Sequence, residues 1–95
     1  MDLTELRASI QAAEPPPLTL PLQALWWEAK GDWQRAHACA QAEPGPIGAA
    51  VHAYLHRKEP DLANARYWYT RAGRPPATGT LDQEWEALAT ELLGR

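Results

Sequence analysis

Apolar residues recur along the chain at spacings of three and four, the period of a helix that buries one face. The first such segment covers residues 2–13, where Leu3, Leu6, Ile10 and Ala13 share a face. No segment alternates between apolar and polar residues, as a half-buried strand would. The pattern therefore predicts an all-α protein with about six helices.

Proline and glycine separate the apolar segments and set the expected ends of the helices. Three prolines at 15–17 should end the first helix, because proline lacks the N–H that continues the helical ladder. Gly31 and Pro44-Gly45-Pro46 divide the middle of the chain. We expect one domain over residues 1–95, made of an N-terminal helix at 2–13, hairpins at 21–43 and 46–73, and a C-terminal capping helix at 80–93.

The two expected hairpins share a pattern offset by 29 residues, the distance from Asp32 to Asp61. Each Asp can cap a helix, and each is followed four residues later by an alanine, Ala36 or Ala65. Small residues let antiparallel helices approach closely, and neither hairpin can bury its apolar face alone. Stacked hairpins would therefore share one core, with an outer helix covering each end.

Two segments carry a resemblance to helical repeat families. DLANARYWYTRAG, at 61–73, resembles the end of a Sel1-like repeat, and KGDWQRAHACAQAEP, at 30–44, resembles the second half of a tetratricopeptide repeat. The span 25–75 is also similar to a group of small uncharacterised bacterial proteins of this type. The resemblance implies a short α-α superhelix that serves as a scaffold or binds proteins, and it implies no chemistry. The positions that carry it are Gly31, Asp32, Ala36, Asp61, Ala65, Trp68, Tyr69 and Ala72.

Composition and charge exclude some classes of partner. The net charge is −3 and no stripe of basic residues is present, so nucleic acid is not an expected partner. No apolar run approaches the roughly 20 residues of a membrane span, and the N-terminal residues lack the apolar core of a signal peptide. Cys39 is the one cysteine, which fits a reducing cytoplasmic setting. We read it as a small apolar residue, not a nucleophile.

Adjacent aromatic residues suggest a binding surface. Neighbours on a helix point about 100° apart, so not every ring in Trp26-Trp27 and Tyr67-Trp68-Tyr69 can face one core. Tyr, Trp and Arg are common at binding hot spots. Helix packing is the simpler alternative, but the favoured function is a protein or peptide interaction module, with a homodimer as one form of it. The candidate binding residues are Trp27, Arg66, Tyr67 and Arg71.

The histidines suggest an alternative function. His52 and His56 lie four residues apart, with Glu59 three further on, so a helix would place them on one face. His37 could join them from the preceding helix. Such a set predicts a site for a divalent metal ion, the only cofactor the sequence suggests. The simpler reading is partly exposed histidines near a helix end, where a positive charge suits the helix dipole. No catalytic set is recognisable, so an enzyme is not expected.

Overall fold

The computed structural model describes residues 1–95 and contains six α-helices and no strand, which confirms the all-α prediction. The helices are α1 (Leu3–Ser9), α2 (Leu20–Ala29), α3 (Trp33–Gln41), α4 (Pro46–Lys58), α5 (Leu62–Ala72) and α6 (Leu81–Leu93). No helix is both long enough and apolar enough to cross a membrane.

The first helix stops at Ser9, before the predicted end at residue 13. After Ser9 the chain continues as a turn, in which Gln11 and Ala12 donate to the carbonyls three residues earlier. Lys30 Nζ donates to the carbonyls of Ile10 and Ala12 at 2.9 and 2.8 Å. Ala13, which was expected on the apolar face, is exposed.

Side chains cap the helices where the sequence suggested. Asp32 accepts from the N–H of Arg35 at 3.0 Å, and Asp61 accepts from the N–H of Asn64 at 3.2 Å. Thr80 and Gln83 form a capping box at the start of α6. At the end of α5, Gly73 takes a left-handed conformation with φ of 69°, which a residue with a Cβ rarely adopts.

Helices α2 and α4 form the centre of the molecule. Helix α2 packs against α3 and α4 packs against α5, and these two pairs are the expected hairpins. Helix α4 also contacts α2, α3 and α6, so every residue from Gly48 to His56 is buried. Helices α1 and α6 pack against each other, and α6 also contacts α2 and α4.

Polar contacts fasten the outer helices to this centre. The indole N–H of Trp26 donates to Ser9 Oγ at 3.0 Å, and that of Trp85 donates to the carbonyl of Leu25 at 3.0 Å. Glu84 of α6 pairs with Arg57 of α4 at 2.9 Å. These contacts fix α1 and α6 against the two hairpins.

Some expected core positions lie elsewhere. Ala29 and Leu62 fit the helical spacing of apolar faces, but both are exposed. Trp27, one of the candidate binding residues, is buried. Its ring lies edge-on to Trp26, with centroids 4.9 Å apart, and beneath the guanidinium of Arg35 at 4.5 Å.

Replacing Leu25 by Ala should lower the unfolding free energy by about 2–5 kcal/mol, because the side chain is fully buried and its loss leaves a cavity. Leu62→Ala is the matched control, and its effect should stay within about 0.5 kcal/mol because Leu62 is 57% exposed. Urea unfolding followed by circular dichroism measures both. Equal effects of the two substitutions would contradict this packing.

Candidate metal centre

All three histidines of the chain meet between α3 and α4. His37 comes from α3, and His52 and His56 come from successive turns of α4. One ring nitrogen from each lies within 4.8 Å of those of the other two. The structure thus brings together the three histidines that the sequence placed in one candidate site.

The rings of the cluster have defined orientations. Nε2 of His52 lies 2.9 Å from Nε2 of His37, a hydrogen bond in which one neutral ring donates and the other accepts. These two rings are perpendicular, at 89°. The rings of His52 and His56 are stacked at 24°, with centroids 4.8 Å apart. One nitrogen of each ring therefore lies near those of the other two.

Two tryptophans enclose the cluster. Trp33 stacks on His37 with centroids 4.9 Å apart, and Trp68 stacks on His52 at 3.8 Å. The indole N–H of Trp33 donates to the carbonyl of Leu55 at 2.9 Å, which fixes this ring against α4. The indoles hold the imidazoles in place and limit the access of water to them. Sequence reasoning had assigned these rings to packing or partner binding, and it missed their role around the histidines.

Glu59 lies outside the set of three nitrogens. Its Oε1 is 2.5 Å from Nδ1 of His56, so the carboxylate contacts one nitrogen of that ring. In the tautomer with the proton on Nδ1, this contact is a hydrogen bond to Glu59 and Nε2 is the nitrogen that can bind a metal. The sequence had grouped Glu59 with the histidines as a ligand. The structure places its carboxylate against Nδ1 of His56, and His56, Glu59 and Asp61 form a second group of possible metal ligands, with ligand atoms within 4.8 Å of one another.

Burial favours the neutral form of His37 and His52. His52 and His56 are only 3% and 6% exposed, so the expectation of partly exposed histidines is wrong for both. Burial, together with charge on His37 and His56, lowers the pKa of His52 to about 4. Burial and His56 also lower the pKa of His37, against a smaller opposing effect of Glu59. Neutral imidazole is the form that binds metal ions.

The spacing of the nitrogens suits a small metal ion. Ligand nitrogens about 2.0–2.1 Å from a tetrahedral zinc ion lie ~3.3 Å apart. The 2.9 Å separation between Nε2 of His37 and Nε2 of His52 is close to that value, and the nitrogen offered by His56 lies within 4.8 Å of those of the other two. Three histidine ligands leave a fourth position free for water or another ligand.

The other candidate residues are divided between two regions. Tyr67 is 52% exposed on α5, beside the exposed Arg66 and Arg71. The guanidinium of Arg71 lies 5.2 Å from the Trp68 ring centre and donates to Tyr67 Oη at 3.0 Å. Trp27 is buried in α2 and has no place on this α5 surface.

A buried polar group elsewhere was not predicted. Glu28 is buried on α2, where it accepts from Tyr54 Oη at 3.0 Å and pairs with Lys58. Burial and the Glu28 carboxylate raise the pKa of Tyr54. The partners come from two different helices, so no spacing in the sequence could reveal the contact.

No protein-family model matches the chain, and comparisons with curated proteins and with solved structures gave no match. The resemblance to tetratricopeptide and Sel1-like repeats therefore stays a prediction.

The unfolding free energy should fall as the pH is lowered from 6.5 toward about 4. The unfolded chain takes up protons on His52 and His37 in this range, whereas the folded cluster resists them, so protons favour unfolding. Each full proton contributes a slope of about 1.4 kcal/mol per pH unit. Urea unfolding across this range measures the slope, and His52→Gln should make it shallower. An identical slope in parent and variant would rule out the cluster as its source.

Proposed function

We propose that this protein binds one divalent transition metal ion through His37, His52 and His56. The single observation that carries the proposal is the meeting of three imidazole nitrogens within 4.8 Å of one another. The chain has no other histidine, and residues from two helices are needed to assemble the group. Three histidines placed at random on a surface would lie apart from one another and in contact with water.

The chemistry of the ligands supports a transition metal. Imidazole suits zinc, copper, nickel and cobalt, whereas magnesium and calcium prefer oxygen ligands. The group of three nitrogens contains no carboxylate. The lowered pKa values of His37 and His52 favour the neutral rings that a metal requires.

The surroundings support a site organised before the ion arrives. Trp33 and Trp68 stack on two of the ligands, and Glu59 orients the third through Nδ1. Side chains fixed by packing and by outer hydrogen bonds lose little freedom when a metal binds. The proposal concerns binding, and we assign no reaction to the site.

Titration of chelator-treated protein with Co²⁺ or Zn²⁺ should give one equivalent of binding and a rise in Tm, because the ion binds only the folded chain. Isothermal calorimetry and thermal unfolding measure the two effects. His52→Gln should weaken binding by about 100-fold or more, since loss of an outer-shell partner alone costs 10–100-fold. His37→Gln should also weaken metal binding. It should affect folding less, because His37 is only half-buried.

Cys39→Ser is the matched control for this titration. Cys39 lies on α3 near His37 but outside the group of nitrogens, so its loss should leave metal affinity unchanged. The histidine variants should keep the helical circular dichroism signal of the parent. Equal affinity in the parent and in both folded histidine variants would eliminate the proposed site.

A second candidate function is protein binding through the outer side of α5, as a scaffold of the kind that the repeat resemblance implies. The observation that favours it is the exposure of two large side chains on this side, Leu62 at 57% and Tyr67 at 52%. Arg66 and Arg71 lie beside them and form no ion pair with a carboxylate. Exposed apolar and aromatic groups flanked by arginine are typical of interfaces. A second copy is the simplest occupant, because it would extend a short stack of hairpins.

If α5 mediates self-association, light scattering after size exclusion should give twice the monomer mass. The double variant Leu62→Ser, Tyr67→Ser should return the chain to a monomer, since it removes the apolar contact. Leu20→Ser, at an exposed position on α2, is the control and should remain dimeric. A parent that stays monomeric at every accessible concentration would rule out the homodimer.

A further inference from the structure

The second group of possible metal ligands lies at the end of α4. His56, Glu59 and Asp61 each offer one ligand atom there, and these atoms lie within 4.8 Å of one another. His56 also belongs to the three-histidine group, whereas His37 and His52 are not part of the second group. The end of α4 therefore carries a mixed set of one imidazole and two carboxylates.

The turn between α4 and α5 brings these three side chains together. The N–H of Asp61 donates to the carbonyl of His56 at 2.7 Å, which closes the chain back on the last turn of α4. Oδ1 of Asp61 accepts from the N–H of Asn64 at 3.2 Å, so the start of α5 holds this carboxylate. Glu59 lies inside the same turn, with its Oε1 2.5 Å from Nδ1 of His56. Backbone hydrogen bonds thus keep the ligands close to one another.

No lysine or arginine balances the two carboxylates. Glu59 pairs only with His56, and Asp61 forms no ion pair. The basic residues just before Glu59, Arg57 and Lys58, pair with carboxylates of other helices. Both carboxylates are exposed, whereas the imidazole between the two groups is 6% exposed. Two uncompensated carboxylates beside a fixed imidazole favour a divalent cation.

We propose that His56, Glu59 and Asp61 bind a divalent ion that prefers oxygen ligands, such as Mn²⁺. Carboxylates suit Mn²⁺, whereas a set of three imidazoles suits Zn²⁺. A neutral imidazole has one nitrogen with a free lone pair, so His56 can serve only one group at a time. The two groups are therefore alternative positions, and the class of ion decides which is filled. The inference goes beyond the proposed function, because this site stands even if the three-histidine group binds no metal.

Titration of the chelator-treated full chain with Mn²⁺ tests the inference, with the free ion measured by electron paramagnetic resonance. The parent should bind one equivalent. Asp61→Asn should raise the apparent Kd about tenfold or more, because asparagine still caps α5 but brings no negative charge. Glu59→Gln should have a similar effect. His52→Gln should leave the Kd for Mn²⁺ unchanged, because His52 is not in this group.

Asp32→Asn is the matched control. Asp32 caps α3 as Asp61 caps α5, since it accepts from the N–H three residues later at 3.0 Å. It belongs to neither group of possible metal ligands. Its replacement should leave the Kd for Mn²⁺ unchanged, and all variants should keep the helical circular dichroism signal of the parent.

Zn²⁺ should show the opposite pattern in calorimetry. His52→Gln should weaken Zn²⁺ binding, whereas Asp61→Asn should leave it unchanged. His56→Gln should weaken the binding of both ions, because both groups use this residue.

The possible results separate the two sites. Equal Mn²⁺ affinity in the parent and in both folded carboxylate variants, or no Mn²⁺ binding at all, overturns the site at the end of α4 and leaves the three-histidine site. Loss of Mn²⁺ binding in folded His52→Gln places the ion in the three-histidine group and also overturns the second site. Absence of Zn²⁺ binding in a chain that binds Mn²⁺ through Asp61 overturns the three-histidine site alone.

Discussion

The burial of α4 on all sides is the constraint on which the rest of the structure depends. Four other helices contact it, and its residues from Gly48 to His56 are removed from water. A helix in that position would be expected to be wholly apolar, because a buried polar group without a partner is costly. The imidazoles of His52 and His56 are tolerated because each has a polar partner and at least one aromatic ring against it.

This arrangement links the candidate site to folding. His37 is the polar partner of His52, so the contact between α3 and α4 is partly a contact between histidines. An ion bound there would replace a single hydrogen bond with several stronger bonds between the same helices. It would stabilise the folded chain as it filled the site. Lowering the pH destabilises the folded chain, because it places positive charges in a region that excludes water.

The sequence predicted the fold well because its helix ends depend on local contacts. Asp32, Asp61 and Thr80 cap through residues three positions away, and Pro46 begins α4. The spacing of His52 and His56 predicted a shared face for the same reason. The burial of Trp27 and the contact of Glu59 with His56 could not be predicted, because both depend on how far apart neighbouring helices lie and which way a side chain turns there. Helical periodicity contains no information about either quantity.

The indole hydrogen bonds give a reason for a chain with five tryptophans and no phenylalanine. Trp26, Trp33 and Trp85 each donate to an atom outside their own helix, in α1, α4 and α2 respectively. Apolar packing alone tolerates some rotation of a helix about its axis, whereas a directional hydrogen bond allows only one rotational orientation. A phenylalanine ring at these positions would also pack against the neighbouring helix, but it has no N–H that could fix the rotation of the helix. The indole hydrogen bonds thus fix the rotation of the helices about their axes, and the bond from Trp33 helps determine the orientation of His37.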